Sequence, residues 1–204
     1  YVAESEADCL YMIRLLLSYL PQNNMEDPAV VPTTDDRLRT EEALNHLVPE
    51  DPSKPYDIRD ALRLIVDDGI FFELQEHFAP NIVIGYARLG GHSVGIVANQ
   101  PAVLAGVLDI SSSDKAARFI WSCNAFNVPL LFLADVPGFM IGTQVEREGI
   151  IRHALDIRDV WKQTYSANSA IKLWAAKFTA RHPNLIAVEL SNFKCGHDAP
   201  IYST

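Results

Sequence analysis

Two β-rich runs separated by a glycine pair constrain the fold of this chain more than any other feature. Residues 81–89 (NIVIGYARL) and 92–99 (HSVGIVAN) are rich in branched apolar side chains, and only Gly90 and Gly91 stand between them. A two-residue glycine linker favours a primed hairpin turn, because that turn needs positive φ angles. The sequence therefore predicts two neighbouring antiparallel strands.

Helices and further strands are predicted on both sides of this hairpin. Residues 58–65 have helical apolar spacing, with Asp57 as the N-cap and Gly69 as the stop. Ser111 to Ser113 are expected to cap a helix that runs to about residue 126, and residues 130–134 (LLFLA) form an apolar strand expected to be buried on both faces. Helices near residues 145 and 168–181 and a strand at 185–190 follow. This alternation predicts a layered α/β domain.

The first 55 residues are predicted to be a helix and an extended connector. Apolar residues recur at helical spacing through residues 5–20, and Pro21 ends the pattern. Six prolines between residues 21 and 55 indicate a connector that wraps over a surface, with one helical turn at 41–47. The residues expected to form the apolar face of the first helix are Leu10, Ile13, Leu16, Leu17 and Leu20.

Charge and composition exclude several classes of protein. The 204 residues carry a net charge of −9, which disfavours general electrostatic binding to nucleic acid or to an anionic membrane. No apolar run reaches the roughly 18 residues that a membrane span needs. Three scattered cysteines indicate a reducing compartment with neither a disulfide framework nor a zinc site. The chain starts with Tyr1 and an acidic segment, so we expect a fragment of a longer, soluble protein.

The loop at residues 135–142 (DVPGFMIG) is the strongest candidate for a functional site from the residues alone. It follows the predicted strand at 130–134 and precedes a predicted helix, and the carboxyl end of a strand is the usual ligand position in α/β sheets. The alternative is a structural strand-to-helix turn in which glycine serves the geometry and Phe139 serves packing. Both interpretations stay open on the residues alone.

Side-chain machinery for other chemistries is missing from the sequence. There is no G-x-S-x-G, Walker, H-E-x-x-H or G-x-G-x-x-G motif in a suitable context. Asp67 and Asp68 are interpreted as a solvated final helical turn, and no metal ligands are predicted. Two small groups complete the candidates: the isolated histidines His77, His92 and His153, and the cluster Cys195, His197 and Asp198, in which a structural loop is favoured over a metal or redox site.

Four long segments resemble the β subunit of acyl-CoA carboxylase carboxyltransferases of the propionyl-CoA or methylmalonyl-CoA type. They are residues 55–101 (PYDIRDALRLIVDDGIFFELQEHFAPNIVIGYARLGGHSVGIVANQP), 108–120 (LDISSSDKAARFI), 129–142 (PLLFLADVPGFMIG) and 146–154 (EREGIIRHA). The resemblance implies a partial crotonase-like layered α/β fold with an additional helix–strand tail. It divides the chain into a helix and connector (1–55), a partial C-terminal carboxyltransferase domain (56–154) and a tail (155–204).

The resemblance also implies an activity and a site. This family moves a carboxyl group from carboxybiotin, held on a partner carrier protein, to the α-carbon of an acyl-CoA. Backbone roles in catalysis are expected for Gly138 and Phe139, and residues 56–91 are expected beside the acyl-CoA pocket. A biotin carboxylase or carrier subunit, acyl-CoA and further copies of the chain are the expected partners, in the cytoplasm or the mitochondrial matrix. The residues expected on the biotin side are Asp135, Val136, Pro137, Gly138, Phe139 and Gly142, with Asn99 and Gln100 beside them.

Two departures from the family pattern leave alternatives open. The amino-terminal carboxyltransferase domain and the later Gly-Gly-Ala segment, which supply the family's oxyanion holes, are expected to be absent. Residues 161–202 instead resemble the carboxy-terminal region of 2-hydroxyacyl-CoA dehydratase activators. The alternatives are therefore an activator-like protein or a catalytically inert fragment with a role in assembly. Acyl-chain specificity is not readable from these residues.

Overall fold

The computed structural model describes residues 2–36, 38–51 and 54–143, and the backbone of residues 185–189. Both helices and strands occur in this part, so the predicted α/β class is confirmed, but three helices precede three strands and the elements do not alternate one by one. The predicted helices near residues 145 and 168–181 lie outside the described residues. The elements are α1 (Glu6–Tyr19), α2 (Leu44–Leu47), α3 (Ile58–Ile65), β1 (Phe72–Leu74), β2 (Ile82–Leu89), β3 (His92–Asn99), α4 (Ile110–Ala125), β4 (Leu130–Ala134) and β5 (Leu185–Glu189).

The described strands form one mixed sheet in which spatial order equals chain order. β1, β2 and β3 pair antiparallel, whereas β3, β4 and β5 pair parallel. Leu89 faces His92 across the glycine pair, and Gly90 and Gly91 have φ angles of 58° and 84°. The predicted hairpin is confirmed, and so is a strand at 185–189.

Asp67 lies in a different secondary-structure element, and makes different contacts, from those predicted. Helix α3 ends at Ile65, and a separate 3-10 turn, Asp67–Gly69, follows it. The two carboxylate oxygens of Asp67 accept hydrogen bonds from the backbone N–H groups of Gly90, at 2.8 Å, and Gly91, at 2.7 Å. The interpretation as a solvated helical turn is therefore wrong for Asp67, which fastens the hairpin turn, although Asp68 is exposed.

Both faces of the sheet are covered, so β2 and β3 are buried along most of their length. On one face, Ile84 and Tyr86 of β2 pack with α1 and with Phe119 of α4. On the other face, Val83 of β2 and Ile96 of β3 pack against α3. The sheet is thus the middle layer between two helical layers, which matches the predicted architecture.

Helix α1 forms where it was predicted but packs through a different face. Ser5 caps it by accepting a hydrogen bond from the Asp8 N–H, at 3.1 Å. Because apolar residues surround most of this helix, periodicity does not select the buried side; Tyr19 does, by stacking on Phe72 and Tyr86. Of the predicted face, only Leu16 and Leu20 pack against the core, whereas the exposed residues are Leu10, Ile13 and Leu17.

Two further differences concern α4 and β4. The N-cap of α4 is Asp109, not the serines that follow it, and Asp109 and Ser112 form a reciprocal capping box. In β4, Leu130 and Leu133 are buried, while the other residues are half-buried. The prediction of burial on both faces therefore holds for two of the five β4 side chains.

The connector packs on the side of the sheet that carries α3, which agrees with the expected wrapping over a surface. α2 supplies the predicted helical turn, and Leu44 and Leu47 pack against the core beside α3. The Val31 N–H donates to the Gly91 carbonyl at 3.0 Å. A Cβ atom on Gly91 would lie 2.1 Å from the Val31 carbonyl oxygen, so the turn admits no side chain there.

Candidate active site

The predicted site loop lies at one edge of the sheet, where two parallel strands end together. Ala98 of β3 faces Leu133 of β4, so Asn99 and the start of the 135–142 loop are neighbours. The carboxyl ends of adjacent parallel strands form a crevice that commonly holds ligands in α/β proteins. The sheet therefore brings together the two groups of residues that the sequence placed at the site.

The 135–142 loop is fastened to the segment that leads into α4. Leu108 and Phe139 form an isolated parallel β-bridge. The Leu108 N–H donates to the Gly138 carbonyl at 3.1 Å, and the Met140 N–H donates to the Leu108 carbonyl at 2.8 Å. The loop is thus held beside the N-cap of α4.

Gly138 and Phe139 present backbone donors that the described residues leave unused. No backbone hydrogen bond in the described part of the chain involves the N–H of Gly138 or of Phe139. Extended backbone directs successive peptide groups to opposite sides, so the Phe139 N–H points away from Leu108. Gly138 is buried with a φ of 153°, a conformation that favours glycine.

Asp135, the first residue of the loop, is held by a distant side chain. The Tyr56 hydroxyl donates to the Asp135 carboxylate at 2.8 Å, although 79 positions separate the two residues. Burial, and then this hydrogen bond, raise the pKa of the Tyr56 phenol well above its usual value, so it stays a neutral donor. Tyr56 is half-buried against the core beside α3.

A turn with left-handed backbone, at residues 104–106, contacts the backbone of Asp135. Leu104, Ala105 and Gly106 have φ angles of 51°, 52° and 74° in succession. A Cβ atom on Gly106 would approach the Asp135 carbonyl oxygen to 2.7 Å, so only glycine permits this contact. The Asn99 side-chain amide donates to the Gly106 carbonyl at 3.0 Å and fixes the turn.

The side chains of Asn99 and Gln100 are buried and bonded internally. Gln100 is fully buried; its amide oxygen accepts from the Ile58 N–H at 3.2 Å, and its amide nitrogen donates to Asp57 at 2.7 Å. These bonds dock the first turn of α3 on the end of β3. They give both amides a supporting role, and direct contact of Asn99 or Gln100 with biotin stays a prediction.

Asp57 and Asp109, the N-cap residues of α3 and α4, are ionised at this edge of the sheet. Burial tends to raise the pKa of Asp57, but hydrogen bonds from Gln100 and Arg59 outweigh it and hold the pKa below its usual value. The same balance holds for Asp109, where bonds from Ser112 and Asn81 outweigh burial. The negative charge of each cap therefore persists at neutral pH beside a helix N-terminus.

Lys115 is buried beneath the same edge. Its ammonium donates to the carbonyls of Phe78, Ala79 and Ile82, at 2.7, 3.3 and 2.8 Å. Burial lowers its pKa to about 8. Because three backbone acceptors satisfy it, Lys115 organises the turn between β1 and β2 and does not face the crevice.

The other candidate residues differ in their surroundings. Val136 is half-buried and Pro137 is exposed, and a Cβ atom on Gly142 would meet nothing within 4 Å. His77 and His92 are exposed, while His153 and the Cys195 cluster lie outside the described residues. Among residues 2–36, 38–51 and 54–143, no group of three His, Cys, Asp or Glu side chains could hold a metal, and no helix is long and apolar enough to span a membrane.

Tyr56 and Gly106 are contributors that sequence reasoning missed as individual site residues. Neither belongs to a motif, and each reaches the loop only through tertiary contacts. The left-handed backbone before Gly106 could not be predicted, because Leu104 and Ala105 are residue types that rarely adopt positive φ angles. A pairing between residues 56 and 135 needs the folded sheet to bring them together.

Comparison with known proteins gives consistent matches. A family model described as "Carboxyl transferase domain" matches residues 1–158. The propionyl-CoA carboxylase carboxyltransferase subunit of Haloferax mediterranei is 56% identical over 153 residues, covering 75% of this chain and 30% of that protein. Methylmalonyl-CoA decarboxylase subunit alpha of Veillonella parvula is 52% identical over 153 residues, again covering 75% and 30%.

Solved structures give the same result. Transcarboxylase 12S, determined as a hexamer with hydrolysed methylmalonyl-CoA, is 45% identical with a TM-score of 0.72, covering 80% of this chain and 32% of that one. A second 12S structure, with methylmalonyl-CoA and methylmalonic acid, gives a TM-score of 0.75 at 39% identity over 93% of this chain and 32% of that one. The chain thus spans about a third of the length of these relatives.

Proposed function

We propose, because the chain belongs to the carboxyl transferase domain family, that it forms the biotin-facing part of an acyl-CoA carboxyltransferase. Its fold is the crotonase-like layered α/β fold of the transcarboxylase 12S structures. The observation that carries the proposal is the Phe139 N–H, which points away from Leu108 and which no described residue engages, at the carboxyl edge of β3 and β4.

The donor set fits biotin. The ureido group of biotin carries an oxygen that becomes more negative as the carboxyl group leaves the adjacent nitrogen. Backbone N–H groups fixed in a loop stabilise such an oxygen, and one donor of this kind typically contributes about 3 kcal/mol to a transition state. Carboxybiotin, when bound, supplies the carboxyl group that is transferred.

The chain's own residues then orient and shield this site. The Phe139 N–H would donate to the ureido oxygen, Gly138 would give the loop the backbone conformation that presents this donor, and the half-buried Phe139 ring would exclude water. Leu108 fixes the loop through its two backbone hydrogen bonds. No ionisable side chain is needed for these roles, which accounts for the lack of a side-chain motif.

The acyl acceptor is a short acyl-CoA in this proposal. Relatives at 52 to 56% identity are named for propionyl-CoA and methylmalonyl-CoA, and a 12S structure contains methylmalonyl-CoA. Residues 56–91, which include α3, β1 and β2, are proposed to lie beside the CoA pocket. Selection among short acyl groups is not assigned to any described residue.

The proposed partners are a biotin carrier or biotin carboxylase subunit and further copies of the chain. The hexamer of transcarboxylase 12S supports the homo-oligomer. Cys9 and Cys123 are free thiols, which supports a reducing compartment, and the cytoplasm is proposed.

The test is decarboxylation of free carboxybiotin by the purified 204-residue chain. Turnover above the spontaneous rate is expected, and biocytin, which is biotin linked to lysine, should inhibit it. A chain that folds but neither binds biocytin nor accelerates the reaction would support the inert assembly role instead. Reducible iron in the purified protein would favour the activator-like alternative.

A further inference from the structure

The hydrogen bond from Tyr56 to Asp135 ties the candidate site to the core of the molecule. We infer that Tyr56 is a positioning residue: by holding Asp135, it sets the place of the Phe139 N–H relative to biotin. The inference rests on the proposed function for its biotin part. The tether itself is an observation of the fold.

Tyr56 differs in kind from the other supports of the 135–142 loop. Leu108 holds Gly138 and Met140 through backbone atoms, and Gly106 supports Asp135 through close approach. The Tyr56 hydroxyl makes a side-chain hydrogen bond that reaches into the loop. This bond holds the side chain of the first loop residue, whereas Gly106 contacts its backbone.

Tyr56 is itself anchored, so it can serve as a fixed reference. The next residue, Asp57, caps α3 and accepts a hydrogen bond from buried Gln100. Two residues further on, Arg59 makes two hydrogen bonds to the Glu73 carboxylate on β1, at 2.7 and 2.8 Å. The tether thus connects the loop to α3, β1 and β3 together.

Small displacements matter in a site built from backbone donors. A donor stabilises an oxyanion at a separation of about 2.7 to 3.1 Å, and a misplacement of about 1 Å can cost a large part of the rate. Asp135 precedes Gly138 by three residues. Release of Asp135 would let the Phe139 N–H turn away from the ureido oxygen.

The main variant is Tyr56→Phe in the full chain, with Tyr11→Phe as the matched control. Tyr11 is 62% exposed on α1, far in sequence from the loop. In Tyr56→Phe, hydrogen exchange at the bonded Leu108 and Met140 N–H groups should rise about tenfold, biocytin should bind about tenfold more weakly, and kcat for carboxybiotin should fall by a similar factor. Exchange at Gly90 and Gly91 should stay unchanged.

A double-mutant cycle separates positioning from general destabilisation. If Tyr56 acts through Asp135, then Tyr56→Phe combined with Asp135→Ala should weaken biocytin binding no more than Asp135→Ala alone. Asp135→Asn keeps an oxygen for the Tyr56 hydroxyl and should retain most of the binding. Additive losses in the double variant would overturn the inference.

The outcomes distinguish this inference from the proposed function. Wild-type chain that fails to bind biocytin would overturn the proposed function, and exchange at Leu108 and Met140 would still confirm or contradict the tether. Wild-type binding with unchanged exchange and affinity in Tyr56→Phe would overturn the inference and leave the proposed function in place.

Discussion

Gly138 is the residue whose backbone conformation the proposed chemistry requires. Its φ of 153° is unfavourable for a branched side chain, and the residue is buried, with its carbonyl bonded to the Leu108 N–H. We predict that Gly138→Val abolishes carboxybiotin turnover while circular dichroism and the unfolding transition still report a folded chain. Ile141→Val, at a position that is 85% exposed in the same loop, is the matched control and should keep its activity. Normal turnover in Gly138→Val would contradict the site assignment.

Lys115 should make stability depend on pH in the alkaline range. Burial lowers its pKa to about 8 from 10.5, so between these values the unfolded chain binds a proton that the folded chain does not. The free energy of unfolding should therefore rise as the pH increases from about 8 to about 10.5, by about 3 kcal/mol at most. Urea unfolding of wild type and Lys115→Met over this range measures the effect. Parallel pH profiles in the two proteins would contradict it.

At this scale, the sequence predicted the site loop but not its supports. Gly138 and Phe139 stand in the loop after β4, whose position follows from local pattern. Tyr56 and Lys115 reach their partners across 79 and more than 30 positions, respectively. Such pairs depend on how the sheet brings distant segments together, and no local periodicity encodes them.

The β2–β3 hairpin is an element stabilised from outside itself. The Asp67 carboxylate accepts both N–H groups of the turn, and the neighbouring Asp68 side chain is exposed. We predict that Asp67→Asn lowers the free energy of unfolding by about 1 to 3 kcal/mol, because one turn N–H then faces an amide that cannot accept it. Asp68→Asn keeps a residue that tolerates a φ of 54° and should change stability by less than about 0.5 kcal/mol. Chemical denaturation of both variants is the measurement, and equal losses would argue against the clamp.

Elements with strong local signals were predicted well. Gly90-Gly91 specifies the hairpin turn, and Asp57 specifies the start of α3. The buried face of α1 and the end of α3 were not predicted well, because tertiary contacts determine both. Tyr19 selects the face of α1 by stacking, and the hairpin turn draws Asp67 away from the helix.

For the molecule as a whole, the β4–β5 pairing should decide whether the chain stays monodisperse. All five residues of β4 pair with β5, and β4 has the uncharged sequence LLFLA. A chain that ends at residue 143 would leave this apolar strand at the sheet edge, and exposed edges of this kind associate. We predict concentration-dependent aggregation of that truncation in sedimentation experiments. A chain that ends at residue 190 keeps β5 and should sediment as the full chain does.

The agreement between chain order and spatial order in the sheet also bears on biosynthesis. A nascent chain leaves the ribosome from its N-terminus. Here each new strand pairs with the strand synthesised just before it, so its partner is already present. Helix α1 is the exception: it emerges first, yet Tyr19 must wait for Phe72 and Tyr86 before it can stack. Helix α1 should therefore dock only after β1 and β2 have paired, although it is the first element to be synthesised.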